Sequence, residues 1–442
     1  MGPGGFAARA GKALRRLDPN DDPAAEPLSP FAVGAVLVLT ALSVGLFLRY
    51  KLQPMQDVGH HLAMTAVVAD YGREGSLYPA LYKPFDWLNT NSLLYTVAGL
   101  LGKVIPAGWA FRLCMASYLA GVPLANLWAL RVFGRSAWGA VIAVPLAYNI
   151  SYVFGFANFL FAAPLAIVAV PLFYRMLVRP SWRRVLGVTV TVLLLFLAHV
   201  HVFLWVGVLL FLMTLVGLLV TIKQRVVGRP ATSPLTVLWT SALSVAPALA
   251  LFGRWLYRAS RGPAPDEYVT YAVEPVTWES FKAGVKAPSQ LLADLPAYLE
   301  LVRTEHDLLF FVWLVVAGAG LVAIGRLHAH KKPPVMELAA AITFASYLVL
   351  PEHAGGQAVI GSRQIGVALW FASAFFVPVP GRVTRLGRAA AIVAVCWLAG
   401  FHLQYWSVML RRFHKDEAAG FEQVMAAAPP RLRMHYVNIK PE

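Results

Sequence analysis

Apolar runs, each long enough to cross a bilayer and parted by short polar turns, recur along this chain and leave it few folds to adopt. A helix rises about 1.5 Å per residue, so roughly 17–25 residues span the hydrocarbon core. Runs of that size lie at 31–48, 109–130, 136–153, 156–177, 184–200 and 202–222, and again at 234–256, 307–325, 335–351, 364–380 and 389–410. In lipid every backbone polar group needs an internal partner, which predicts a helix for each run. The expected fold is an all-α polytopic membrane protein with about eleven transmembrane helices. Of the 442 residues, 58% are hydrophobic and 14% charged, against about 25% charged in a soluble domain. No stretch is polar enough to form a separate soluble domain, which excludes a soluble enzyme.

The formal charge of +16, from 38 basic and 22 acidic residues, raises the question of a nucleic-acid partner. The positive residues lie instead in short loops, where they set membrane orientation. Arg175, Arg179, Arg183 and Arg184; Lys223, Arg225 and Arg229; Arg326, Lys331 and Lys332; and Arg382, Arg385 and Arg388 must face inward together, and Arg131, Arg135 and the basic N-terminal tail join them only if 88–105 does not cross. That diluted stretch, containing Asn89, Asn91, Gly99, Gly102 and Lys103, then reads as an interfacial helix. Residues 1–30, polar and rich in Pro and Gly, read as a disordered cytoplasmic tail. The first run lies too far in for a cleaved signal peptide and stays as a span. Two long outward segments result, 49–108 and 257–306, with an outer C-terminal segment at 411–442 beyond the membrane domain of 31–410. The inward side is nearly bare, so chemistry belongs on the outer face.

Several polar residues fall on that face. LQPMQDVGHHLAMTAVVADYG places Asp57, His60 and His61 just after the first span. Asp57 reads either as a solvated helix cap or as a functional carboxylate. Adjacent histidines on a helix point apart and HxxxH spacing is missing, which disfavours a metal. His199 and His201 sit where one span turns into the next, either lining a head-group site or fixing the turn. In YLVLPEHAGGQAVIGSRQIGVALW, Glu352 and His353 precede a glycine-rich loop and Arg363 opens the next span. A guanidinium there suits a lipid phosphate, with snorkelling to head groups as the alternative. The turn YNISYVFGFANFLFAAPL reads as packing through Gly155, Ala157 and Ala162 beneath an aromatic belt, and Asn149-Ile150-Ser151 matches a glycosylation sequon pressed against the membrane. Asp266, Glu267 and Glu274 in the second long loop read chiefly as solvated surface. No nucleotide-binding, Ser-His-Asp or zinc-protease motif is present.

The continuation SLYPALYKPFDWLNTNSLLYTVAGLLGKVIPAGWAFRLCMASYLAGV completes a pattern. An Asp after the first helix, Tyr-Pro and Lys-Pro segments, an interfacial helix and Ala-Phe-Arg-Leu at the next span resemble the GT-C glycosyltransferases of the aminoarabinose-transferase and protein-mannosyltransferase type. The resemblance covers roughly residues 30–180 by motif and the remainder by span count and loop sidedness. It implies a bacterial inner-membrane enzyme with its active site outside. It would move a sugar from a polyprenyl-phosphate donor to an envelope glycan, lipid or protein with inversion, without nucleic acid and with no cofactor indicated. Asp57 matches the family's general base, Val58 stands where its Glu follows, Lys83 in Lys83-Pro84-Phe85 matches the lysine near the lipid phosphate, and Arg112 matches a structural arginine. Arg363 would assist at the phosphate, with His60, His61, His199, His201, Glu352 and His353 lining the site. A transporter or flippase of a lipid-linked or small polar substrate, and a non-catalytic scaffold of the same architecture, remain the competing expectations. No internal repeat of the transporter kind is visible.

Overall fold

The computed structural model describes residues 29–227, 232–261, 334–354, 357–358, 360–375, 377, 384–420 and 423, with isolated positions between 278 and 290. Among these it is helical apart from one pair of two-residue strands. The expected span at 307–325 and the acids Asp266, Glu267 and Glu274 lie outside the described residues. Six of the described helices are long and apolar enough to cross a membrane.

The first is α1, Pro30–Arg49, started by Pro at its first position and by the Ser29 side chain accepting from the Ala32 amide. The loop that follows carries α2, Val58–Asp70, the single turn α3, Tyr78–Leu81, and α4, Leu93–Gly102. Ten residues are too few to cross, so the reading of 88–105 as a non-spanning helix agrees with the length of α4. The helix α5, Ala107–Val132, then returns, with the Arg112 guanidinium donating to the Leu48 carbonyl at the end of α1 and covering the Trp109 ring at 4.2 Å.

The expected helix at 136–153 is corrected by the structure. The chain there forms 3₁₀ turns at Ala137–Val141 and Pro145–Ala147 and a short helix α6, Ile150–Phe154. Residues 141–150 are buried throughout. Irregular backbone at membrane depth persists only where protein satisfies its polar groups. Here the Tyr118 hydroxyl donates to the Ala147 carbonyl (2.5 Å), and the Leu146 carbonyl accepts from Asn149 Nδ2 (2.9 Å) and Trp370 Nε1 (3.4 Å). The segment runs beside α1, since Tyr148 meets Ser43 and Tyr152 meets Gln53. It therefore traverses the bundle without being a regular helix.

Regular helices resume with α7, Ala157–Val178, α8, Trp182–Ala198, α9, Val200–Val226, and α10, Pro234–Ser260. After the break come α11, Val335–Val349, the paired strands β1, His353–Ala354, and β2, Gln357–Ala358, then α12, Ile360–Ala372. The run expected at 364–380 thus starts and stops earlier as a helix, passing into a 3₁₀ turn at Ser373–Phe375. The last helix, α13, Arg385–Phe413, continues past the expected limit of 410 into a π turn at His414–Ala418.

Alternation of these helices gives the bundle two chemically different ends. At one end Arg135 and Glu337 form an ion pair with side chains 1% and 6% exposed, tying the turn after α5 to the start of α11. Arg184 at the same end donates to the carbonyls of Arg175 (3.2 Å) and Arg179 (2.5 Å), capping α7. The other end gathers Asp57, His61, His199, His201, Glu352 and Arg363.

Candidate functional site

Beyond α1 the chain turns sharply, and Gln53 gathers the turn. Its Nε2 donates to the carbonyls of Phe47 (2.8 Å) and Tyr50 (2.9 Å), and its Oε1 accepts from the Tyr152 hydroxyl (2.8 Å). Three residues on, the amides of Gln56 and Asp57 donate to the carbonyls of Val153 (2.7 Å) and Phe154 (3.2 Å). Gly155 closes α6 at φ +76°, and a side chain there would come within 2.8 Å of the Asp57 nitrogen. Both the left-handed backbone and the close approach call for glycine. The close contact of Gly155 is with the Asp57 backbone, where helix packing was the expectation.

Asp57 precedes α2, yet its side chain makes no capping hydrogen bond. The carboxyl is part-buried, and desolvation raises its pKa against the opposing pull of His60 and Arg363. Nearby, both ring nitrogens of His61 are engaged. Nε2 lies 2.9 Å from the Gly155 carbonyl and Nδ1 lies 2.7 Å from the Tyr95 hydroxyl. The imidazole stacks 6.0 Å from Phe111 at 9° between planes, and Asn158 Nδ2 donates to the Tyr95 oxygen at 3.4 Å. Burial lowers the His61 pKa to about 4, so the ring is neutral. His60, next in sequence, is exposed.

Arg363 comes from the first turn of α12, some three hundred residues away in sequence. Its side chain is 7% exposed, and its guanidinium lies 3.7 Å from the Phe156 ring centre and 5.9 Å from that of Phe159. A guanidinium buried on aromatic faces keeps its charge with little water. The charges of both Asp57 and Glu352 act on it. Glu352 is buried, held where the amides of Ile360 and Gly361 donate to the carbonyls of Glu352 (3.1 Å) and Pro351 (3.2 Å). On the facing helices His199 packs edge-on to Phe159 at 5.5 Å and lies 6.2 Å from His201. His201 in turn meets the amide of Gln364, itself 1% exposed.

Thus Asp57, Glu352, Arg363, His199 and His201, drawn from three distant parts of the sequence, stand at one end of the bundle. Lys83 is exposed in the first loop, two residues before Phe85, whose ring lies 6.4 Å from that of Tyr95. That loop is pinned from the far side: Arg254 and Arg258 of α10 both reach Asp86, at 2.9 and 2.6 Å. His353 pairs through its backbone with Ala358, and its side chain lies outside the described residues. Arg112 serves α1, as a structural residue. Asn149 is buried with both side-chain atoms bonded inside the fold, which removes it as a glycosylation acceptor.

Sequence reasoning passed over Tyr95, Phe156, Phe159 and Gln364. Tyr95 and the two phenylalanines read as belt and interfacial aromatics, and only the third dimension turns Tyr95 toward His61 and the phenylalanines toward Arg363. Gln364 had a signal: a polar residue directly after Arg363 at the start of an apolar run. Among the described residues no cluster of three or more His, Cys, Asp or Glu is suited to a metal ion. No family model matches the chain, and no curated protein is similar to it.

Proposed function

We propose that this protein is a membrane glycosyltransferase that uses a polyprenyl-phosphate sugar and has Asp57 as its general base. One observation carries the reading. A carboxyl excused from helix capping, desolvated and raised in pKa, stands within electrostatic reach of a buried guanidinium at one end of an apolar bundle. A base needs a pKa lifted toward the working pH, and a departing lipid phosphate needs a cation in a dry place.

In this reading Asp57 accepts the proton of an acceptor hydroxyl. The oxygen attacks the anomeric carbon from the face opposite the leaving group, and the bond from that carbon to the phosphate oxygen breaks. The lipid phosphate departs with the electron pair and is stabilised by Arg363, with Lys83 as a second cation. Glu352 provides the second carboxylate that Val58 withholds, and balances Arg363 while no donor is bound. His199, His201 and Gln364 offer polar atoms to the sugar. Bacterial inner-membrane placement, with this end outward, follows from the same resemblance.

A transporter or flippase is favoured by one feature, the discontinuous segment at 137–154, because broken helices form many transport sites. Its Leu146 and Ala147 carbonyls, however, are bonded to Asn149, Trp370 and Tyr118 rather than left to a substrate.

The test is transfer from a panel of radiolabelled polyprenyl-phosphate sugars to envelope acceptors, in membranes with matched amounts of wild type or Asp57→Asn. The wild type should transfer label, and the variant should lose about 10²–10⁴-fold. Undiminished transfer by Asp57→Asn removes the assigned base. Movement of lipid-linked sugar across vesicles without any transfer favours the transporter.

A further inference from the structure

We propose that His61 is the positioning residue for Asp57, acting through the Gly155 carbonyl and the Tyr95 hydroxyl; this rests on Asp57 as the base. The hydrogen bonds dictate the tautomer. Nε2 faces a carbonyl, which only accepts, so Nε2 carries the proton and donates to Gly155. Nδ1 is then the acceptor, and the Tyr95 hydroxyl donates to it. Asn158 Nδ2 donates to the Tyr95 oxygen, which completes a chain from α7 through α4 to α2. With both nitrogens committed and the ring stacked on Phe111, His61 is neither a base nor a metal ligand.

What the chain of bonds holds is the turn beneath Asp57. Gly155 lies against the Asp57 backbone so closely that a methyl group there would stand 2.8 Å from its nitrogen and 3.3 Å from its Cα and Cβ. The preceding carbonyl, of Phe154, accepts from the Asp57 amide. Holding the Gly155 carbonyl therefore fixes the platform on which Asp57 rests. His61 also lies one turn into α2, its own amide donating to the Asp57 carbonyl at 3.2 Å, so the ring closes a loop of contacts around the Asp57 backbone. The titratable groups bearing on Asp57 are His60 on α2 itself, Arg363 of α12 and the Tyr95 hydroxyl of α4.

The test uses full-length protein in detergent. His61→Phe keeps a flat ring over Phe111 and deletes both polar ties; Tyr95→Phe deletes one. Carbodiimide labelling of Asp57 across a pH series, read by mass spectrometry, follows the carboxyl without needing turnover. kcat and KM are measured alongside. In His61→Phe the labelling midpoint should move toward that of an ordinary carboxylate, with a smaller move in Tyr95→Phe. kcat should fall on the order of 10–100-fold while KM for the donor changes little. An unchanged Asp57 labelling profile overturns the proposal, whatever happens to kcat. A shifted profile with kcat intact supports the positioning and instead removes Asp57 as base, as does a shifted profile in a protein whose wild type transfers nothing. Should His61→Phe fail to fold, Tyr95→Phe decides by the same readout.

Discussion

The chemistry turns on how individual side chains are burdened. Asp57 is an acid whose folded pKa is raised by burial, so its protonation favours the folded state fully below the ordinary value of 3.8, and that gain is lost as pH rises through the folded pKa. At neutral pH its charge is a burden, and Asp57→Asn should unfold at a temperature equal to or above that of the wild type while losing transfer. A lower melting temperature in thermal scans would mean that the carboxylate is structural. His61 has the opposite sign. A base depressed from 6.5 to about 4 contributes stability that is present above pH 6.5 and is lost as pH falls toward 4, up to about 3 kcal/mol across that window. Thermal unfolding of His61→Phe should show a correspondingly flatter dependence on pH between those values. Asp57, Arg363 and the histidines were legible in sequence because polar residues at the ends of apolar runs stand out. Tyr95, Phe156 and Phe159 were not, because an aromatic at a membrane surface has an adequate explanation without any partner.

Among the elements, the span at 136–153 best separates composition from conformation. Its hydropathy is that of a transmembrane helix, but Gly139, Pro145 and the Asn149 side chain break it into turns, and hydropathy does not register that. What sequence could not supply were the partners that make such a break tolerable. Tyr118→Phe should leave the Ala147 carbonyl short of its donor and destabilise the protein by about 1–3 kcal/mol, measured by unfolding in detergent. The Arg135 and Glu337 pair behaves differently from a surface bridge because both partners are buried. Glu337→Gln or Arg135→Met alone should cost about 3–5 kcal/mol, whereas replacing both by apolar residues of similar volume should cost much less. A double change that costs the sum of the two single losses would show that the two groups act independently.

For the molecule as a whole, the alternation of helices divides the charges: the Arg135 and Arg184 contacts at one end, the Asp57 and Arg363 group at the other. If basic loops face the cytoplasm, then in a background lacking Cys114 and Cys396, a membrane-impermeant thiol reagent should label Lys83→Cys on intact cells and leave Arg183→Cys unlabelled until the cells are opened. The helical membrane architecture was written in the length of the apolar runs. The convergence of residues 57, 352 and 363 was not, since it depends on how helices pack and not on any periodicity within one of them.

The central claim is that Asp57 and Arg363 form one catalytic unit, and a double-mutant cycle on sugar transfer tests it most directly. Asp57→Asn and Arg363→Gln should each lower transfer by at least about 10²-fold, and the double variant should be little worse than the more damaged single one. Losses that multiply would contradict the claim and separate the two residues into unrelated roles.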